Sequence, residues 1–335
     1  MLNITNILYI LTCFSIWGDK LTYRKLIKFG NSSLVITVPR DWLNKNNLEK
    51  GAVVQLNEHQ NDLILRPETK VIKDKPKEIT LSANKKLVTL YDMIVSSYIN
   101  NYDTITIVGD QIKDISGDLR TIIHGFVGLE IMEQTSSRIV AKDILEVKDI
   151  SILSLIRRID NIARSMIMDT KECIKGKDTS KHVADRDKDV NRLVVLIHKL
   201  VLNALEKPMV AKSLEVKNRE LLYFFNVSEK VEKIADQVKR ICKYTTLIDK
   251  KVDRKEILNL FEMLEKQYLS AIKAYYTKNY KLADEVLVRK KDLINICEAF
   301  LLNNRDIMAT KMVEKMINMN TFSSFVARSV FHGGG

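Results

Sequence analysis

Two acidic pairs in the C-terminal half of this chain have the residue types and the spacing to hold a cation. Asp185 and Asp189 lie in ADRDKDVNRL, and Glu232 and Asp236 lie in EKVEKIADQV. Residues four apart fall one turn apart on one helix face, so each pair sets two carboxylates side by side. Both pairs border an apolar stripe: Asp189 neighbours the Leu193–Leu196 side and Glu232 neighbours Ala235. Antiparallel packing of the two helices would bring these faces together. Four carboxylates at close range repel, and a divalent or trivalent cation is what would hold them there. Oxygen ligands suit iron, manganese, magnesium or zinc, and spacing does not choose among them. Glu229 and His182, a turn away on the same faces, are secondary candidates. The competing interpretation is that such pairs merely decorate solvated helix faces. Two pairs on successive helices, both beside a seam, favour the site.

A later segment repeats the pattern imperfectly. With Arg186 placed over Arg289, Asp189 falls on Asp292 but Asp185 falls on Val288, and Glu314 is followed four later by Asn318. Each later pair lacks one carboxylate, so at most one metal site per chain is expected.

Helices must carry these acids, and the sequence provides them. Between Gly176 and Gly333 there is no glycine, and Pro208 is the one proline. Unpunctuated sequence with apolar stripes predicts long helices. They fall at Asp149–Gly176, His182–Leu205 and Ser213–Thr246, then at Arg254–Lys278, Tyr280–Leu302 and Arg305–Phe331. Val183, Val190, Leu193, Ile197 and Leu200 mark the seam of the second helix; Val227, Val231, Ile234, Val238 and Ile241 mark that of the third. Two successive three-helix units predict an all-α bundle of internal-repeat type over residues 150–332.

Ahead of the bundle, residues 78–149 alternate strand and helix signals: Ile79–Leu81, Lys86–Asn100, Thr104–Val108, Ile112–Ile123, then a strand pair at Gly128–Gln134 and Arg138–Asp143. This is a small α/β domain without a phosphate-cradling glycine loop. Glu68–Lys77 reads as a linker.

A second chemistry sits at Tyr23–Pro67. Leu26–Phe29 and Leu34–Val38 flank a Gly-Asn-Ser-Ser turn, Pro39 opens a short helix at Arg40–Lys45, and Ala52–Leu56 with Asp62–Arg66 form a second hairpin. A ββαββ unit of this size buries too little core alone, so it should pair with a copy of itself. Arg24, Lys25, Lys28 and Arg40 supply cations, and Asn31, Ser32 and Ser33 supply turn donors and acceptors. Such groups seat a protein on DNA phosphates, with Arg able to read base edges. Charge-neutralising contacts are expected from Lys25, Lys28 and Lys45, and base contacts from Arg24 and Arg40. Good turn chemistry and edge protection of a strand are the plainer roles for the same residues.

Composition agrees. The chain has 335 residues, 46% hydrophobic, and a net charge of +12. Residues 20–77 hold 12 Lys/Arg against 6 Asp/Glu, whereas residues 78–150 hold 7 against 11. The basic density therefore lies on the N-terminal unit, as phosphate-backbone binding requires. Cys13, Cys173, Cys242 and Cys297 stand far apart, which fits isolated packing thiols in a reducing cytoplasm. Ile7–Trp17 is apolar but too short to span a bilayer, so residues 1–22 read as an extension, and no stable membrane insertion is expected. The five histidines are scattered and no GxSxG, P-loop or HExxH occurs, so no enzyme is expected.

Residues 23–68 resemble the AbrB/SpoVT family of DNA-binding domains: a basic first strand, KFGNSS at the turn, VPRDW at the helix start and LEKGAVV before the third strand. That resemblance implies a swapped-hairpin β-barrel shared by two chains, hence a DNA-binding homodimer. RDKDVNRLVVLIHKLV with EKVEKIADQVKRI resembles PhoU, the phosphate-signalling helical-bundle family, whose paired acidic motifs bind iron or zinc clusters. Carried onto this chain, the ligands would be Asp185, Asp189, Glu232 and Asp236. SSYINNYDTITI and GFVGLEIMEQTSSRIV are similar to archaeal phosphate-uptake regulators, which join the two modules. The whole is thus expected to be multidomain α+β, a cytoplasmic, archaeal-type transcriptional regulator of phosphate uptake. The alternative is an adaptor for a phosphate transporter or sensor kinase, in which the barrel only dimerises.

Overall fold

The computed structural model describes residues 23–59, 62–67, 76–147 and 150–333. The expectations placed on residues 1–22 and on most of the 68–77 linker lie outside these. The chain separates into two compact units, residues 1–73 and 74–335.

In the first unit, β1 (Ile27–Phe29) pairs antiparallel with β2 (Ser33–Val35), with Phe29 opposite Ser33. Gly30 opens the loop between them at φ +67, a backbone angle that side chains resist. Helix α1 (Arg40–Lys45) follows Pro39, whose carbonyl accepts from Leu43 N. Strands β3 (Val54–His59) and β4 (Asp62–Pro67) form a second hairpin, Val54 opposite Pro67. Among the described residues of this unit the hairpins make two separate two-stranded sheets and no closed barrel. Among the described residues each strand pairs only with its hairpin partner, and none in this unit is buried.

The second unit begins with a four-stranded sheet in the order β5-β6-β8-β7, built from β5 (Glu78–Ser82), β6 (Thr104–Val108), β7 (Leu129–Gln134) and β8 (Arg138–Asp143). Helix α2 (Leu87–Ile99) makes the crossover that lets β5 and β6 run parallel, and α3 (Ile112–His124) leads to the β7–β8 hairpin. Alternation in TITIV turns Ile105 and Ile107 inward, where they meet Leu90, Ile94, Leu119 and Ile123. Gly128, at φ +76, immediately precedes β7, and a Cβ there would stand 2.8 Å from that of Leu145.

The bundle consists of α4 (Ile152–Ile174), α5 (Ser180–Glu206), α6 (Pro208–Ser213), α7 (Asn218–Thr245), α8 (Arg254–Thr277), α9 (Tyr280–Asn303) and α10 (Ile307–Gly333). The turn-around expected at Pro208 is itself the one-and-a-half-turn helix α6, with proline at its first position where no amide donor is missed. Helices α4, α5 and α7 pack pairwise, as do α8, α9 and α10, and α7 lies along α10. A polar tie joins the two sets: Tyr268 donates to Asp160 Oδ1 at 2.6 Å, while Arg164 Nε reaches the same oxygen at 2.9 Å.

The α/β sheet and the bundle are not two separate bodies. From Leu193 to Val201 helix α5 is buried on all sides, because Val195 enters the sheet's core while Leu193, Leu196, Ile197 and Leu200 enter the bundle's.

Candidate functional site

Helix α5 decides which acid meets the seam. Asp187 lies four residues after Val183 and three before Val190, both fully buried, so its side chain enters the interface and is only 5% exposed. Asp185 and Asp189, two positions to either side, point away. Asp185 is exposed and paired with Lys188 at 2.9 Å; Asp189 lines an open cleft with Arg120, His124, Lys188 and Arg192. The expected Asp185–Asp189 pair does share one face, but in this structure that face looks outward rather than onto the seam. Asp292 and Glu314 in the later helices are exposed as well.

On α7, Glu232 and Asp236 do face α5, carried there by Val231, Ile234, Ala235 and Val238, all buried. The cation between the helices is a side chain. Lys239 Nζ lies 2.6 Å from Asp187 Oδ2 and 3.0 Å from Asp236 Oδ1. Arg240 Nε closes on Asp236 Oδ2 at 2.7 Å, and Asn191 Nδ2 reaches Asp187 Oδ2 at 3.4 Å. Asp187 Oδ1 and Asn191 Oδ1 are buried without a partner.

The electrostatics follow from this geometry. Burial, then the neighbouring charges of Asp236 and Asp187, push the Glu232 carboxyl up to about 7. Burial also raises Asp187, against the pull of Lys239. Burial acts the same way on Asp236, but hydrogen bonds from Arg240 and Lys239 outweigh it and hold that carboxyl low. Lys239 is raised because its two carboxylates outweigh its own burial. Glu229 is buried at the same face, and burial raises it, while His182 is exposed.

Sequence reasoning missed Asp187, Asn191, Lys239 and Arg240. The signal for Asp187 was present, since it fills the seam position between Val183 and Val190. Lys239, three residues after Asp236, was legible only as a charge.

In the N-terminal unit, Arg24, Lys25, Lys28, Asn31, Ser32, Ser33, Arg40 and Lys45 are all exposed. Lys28 sits opposite Leu34 in the hairpin, Asn31 and Ser32 occupy its loop, and Ser33 opens β2. Arg24 Nη1 donates to the carbonyl of Tyr23 at 3.1 Å. Arg40 and Lys45 stand at the two ends of α1.

Residues 156–245, spanning most of α4 through α7 and the whole acidic seam, match the PhoU domain model. The chain carries a PhoU domain. Residues 27–73 match a second family model, described as antidote-toxin recognition MazE, bacterial antitoxin, an AbrB-type unit. No curated protein matches the chain. Among the described residues no helix is long and apolar enough to cross a membrane.

The metal clusters implied by the PhoU resemblance find no matching donor set here. Among the described residues no three His, Cys, Asp or Glu side chains are grouped as ligands. Two of the four expected carboxylates, Asp185 and Asp189, face away, and Lys239 stands between Asp236 and the unexpected Asp187. Asp187 and Asp236 are already paired with Lys239 and Arg240, while burial raises Glu229 and Glu232.

Proposed function

We propose that this protein is a cytoplasmic transcriptional regulator of phosphate homeostasis that binds DNA as a homodimer through its N-terminal unit and takes its signal through the PhoU domain. One observation carries the reading. Ile27 (52%), Phe29 (69%), Leu34 (62%), Leu56 (57%) and Leu63 (65%) are exposed on open hairpins in a single chain. Apolar surface of that kind, with unpaired strand edges, calls for a protein partner. A second copy covers it most economically, by interlocking hairpins into one closed barrel. Dimerisation would also bring two sets of Arg24, Lys25, Lys28 and Arg40 together, doubling the cations available to a duplex.

DNA binding by fluorescence anisotropy over a salt series tests it. The wild-type chain should bind genomic fragments from phosphate-responsive promoters with a steep salt dependence, and Arg24→Ala/Lys28→Ala should lose that binding. Unchanged affinity in the double variant would reject the DNA-binding role.

The MazE match favours a second reading, in which the unit docks a partner protein and the PhoU domain serves as an adaptor to a transporter or sensor kinase. Under it, the double variant keeps its protein partner and no duplex is bound at any salt concentration.

A further inference from the structure

An ammonium group uses at most three donors, whereas the seam between α5 and α7 offers more oxygen than that. Lys239 satisfies Asp187 Oδ2 and Asp236 Oδ1 at 2.6 and 3.0 Å. Asp187 Oδ1 and Asn191 Oδ1 remain buried and unpartnered, and Asp187 is 95% buried by its 5% exposure. Among the described residues Glu232 receives no hydrogen bond, although Asp187 and Asp236 are close enough to act on it electrostatically. A buried oxygen without a donor is costly, and several around one cation mean that the donor set exceeds its occupant.

We propose that Lys239 is the resident cation of this seam, a tethered ammonium in the position a metal ion would take, and that the seam accepts a hard divalent cation only when Lys239 is removed. The ligand set then exposed is Asp187 with Asn191 on α5, and Glu232 with Asp236 on α7. Each is a pair four residues apart, so each delivers two oxygens from one helix face. An all-oxygen set favours Mn2+ or Mg2+ over the nitrogen and sulfur donors that zinc prefers. Lys239 excludes these ions by occupying the oxygens and by supplying the charge, and it cannot diffuse away. No second cation site arises in the later helices, where the alignment that sets Arg186 over Arg289 puts Lys290 at the position of Asp187.

The test uses the full chain, stripped with chelator and dialysed against Mn2+, in wild type, Lys239→Gln, Lys239→Arg and Lys239→Gln/Asp187→Asn. Lys239→Gln should retain about one Mn2+ per chain and bind it about tenfold or more tighter than wild type, with a melting temperature that rises on adding metal. Wild type and Lys239→Arg should stay substoichiometric, and the double variant should lose the gain. Wild type binding Mn2+ as well as Lys239→Gln does would overturn the proposal, as would no gain in Lys239→Gln. If Lys239→Gln is unfolded without metal, Mn2+ should restore its helical circular dichroism, and failure to do so counts against the proposal equally.

Discussion

Lys199 Nζ lies 2.5 Å from Asp143 Oδ2, tying the middle of a bundle helix to the last residue of the sheet's β8. The lysine side chain is 2% exposed and the aspartate 13%. The same ammonium donates to the Tyr98 carbonyl at 3.2 Å and sits 4.3 Å from the centre of the Tyr98 ring. Tyr98 in turn donates its hydroxyl to the Val127 carbonyl at 2.8 Å. Helix α5 thus carries Asp187 against α7 near one end and Lys199 against the α/β sheet further along. One helix therefore contacts both the acidic seam and the sheet.

Breaking this pair should uncouple the two halves. Removing one member of a buried ion pair costs about 3–5 kcal/mol, because the other charge is left uncompensated. Lys199→Met is therefore expected to split one cooperative urea transition into two, with the α/β sheet melting first. Lys199→Met/Asp143→Leu should recover most of the loss. A single unshifted transition in Lys199→Met, followed by circular dichroism and tyrosine fluorescence together, would show that apolar packing of Val195 and Leu202 suffices.

The three neighbouring aspartates of α5 should behave differently. Asp187→Ala leaves Lys239 with one carboxylate and opens a gap in the seam, and is expected to cost about 2–4 kcal/mol. Asp185→Ala and Asp189→Ala should leave the melting temperature unchanged, because both side chains lie in solvent. Equal losses for Asp185 and Asp187 would mean that the seam lies on the other face of α5.

Much of this architecture was legible in the sequence. The bundle helices and the succession of strands and helices in residues 78–149 follow from apolar spacing and from glycine and proline punctuation, which are local signals, whereas the order of the strands in the sheet does not. The seam was not, because Asp185, Asp187 and Asp189 stand two apart, and a four-residue rule selects the outer two. Only the register of Val183 and Val190 shows that Asp187 is the one turned inward. The run LVVLIHKLV carries the seam stripe but is apolar almost all round, and a helix of that kind is covered on every side. The sheet docked on α5 is what covers it. The closed barrel that the AbrB-type resemblance implies is not formed by the described strands of one chain, where each hairpin is a two-stranded sheet of its own.

Two buried groups should give the unit opposing pH responses. His198 stacks on Phe225 with ring centres 4.1 Å apart, and its Nε2 is buried without a partner. Burial pulls its pKa down to about 3, so the folded state disfavours the proton. Its stabilising contribution is complete above the unfolded value of about 6.5 and is lost as pH falls toward 3, by about 1.4 kcal/mol per pH unit. Glu232 has the opposite sign. Its raised carboxyl favours the protonated folded form, so stability is lost as pH rises from the ordinary carboxylate range through about 7. His198→Leu should flatten the acid side of the stability profile relative to wild type, and Glu232→Gln should raise stability above pH 7 while leaving the acid side intact. Parallel profiles for wild type and both variants would remove these groups as the titrating ones.

The open hairpins allow the last test to separate assembly from DNA contact. Phe29 pairs across from Ser33 and is 69% exposed in the single chain, and Leu34, opposite Lys28, is 62% exposed. Neither supports the fold of its own hairpin by burial. A carboxylate at either position would be exposed in a monomer at little cost, yet buried and unpaired inside a shared barrel, where the penalty is several kcal/mol. Phe29→Asp should therefore yield a folded monomer by sedimentation equilibrium, with the helical signal of the bundle intact and DNA affinity lost. Lys28→Ala should leave the dimer in place and lower the salt slope of binding by about one phosphate contact. A Phe29→Asp chain that remains dimeric would place the subunit contact elsewhere than the hairpins, and the cations of β1 would then act one set at a time.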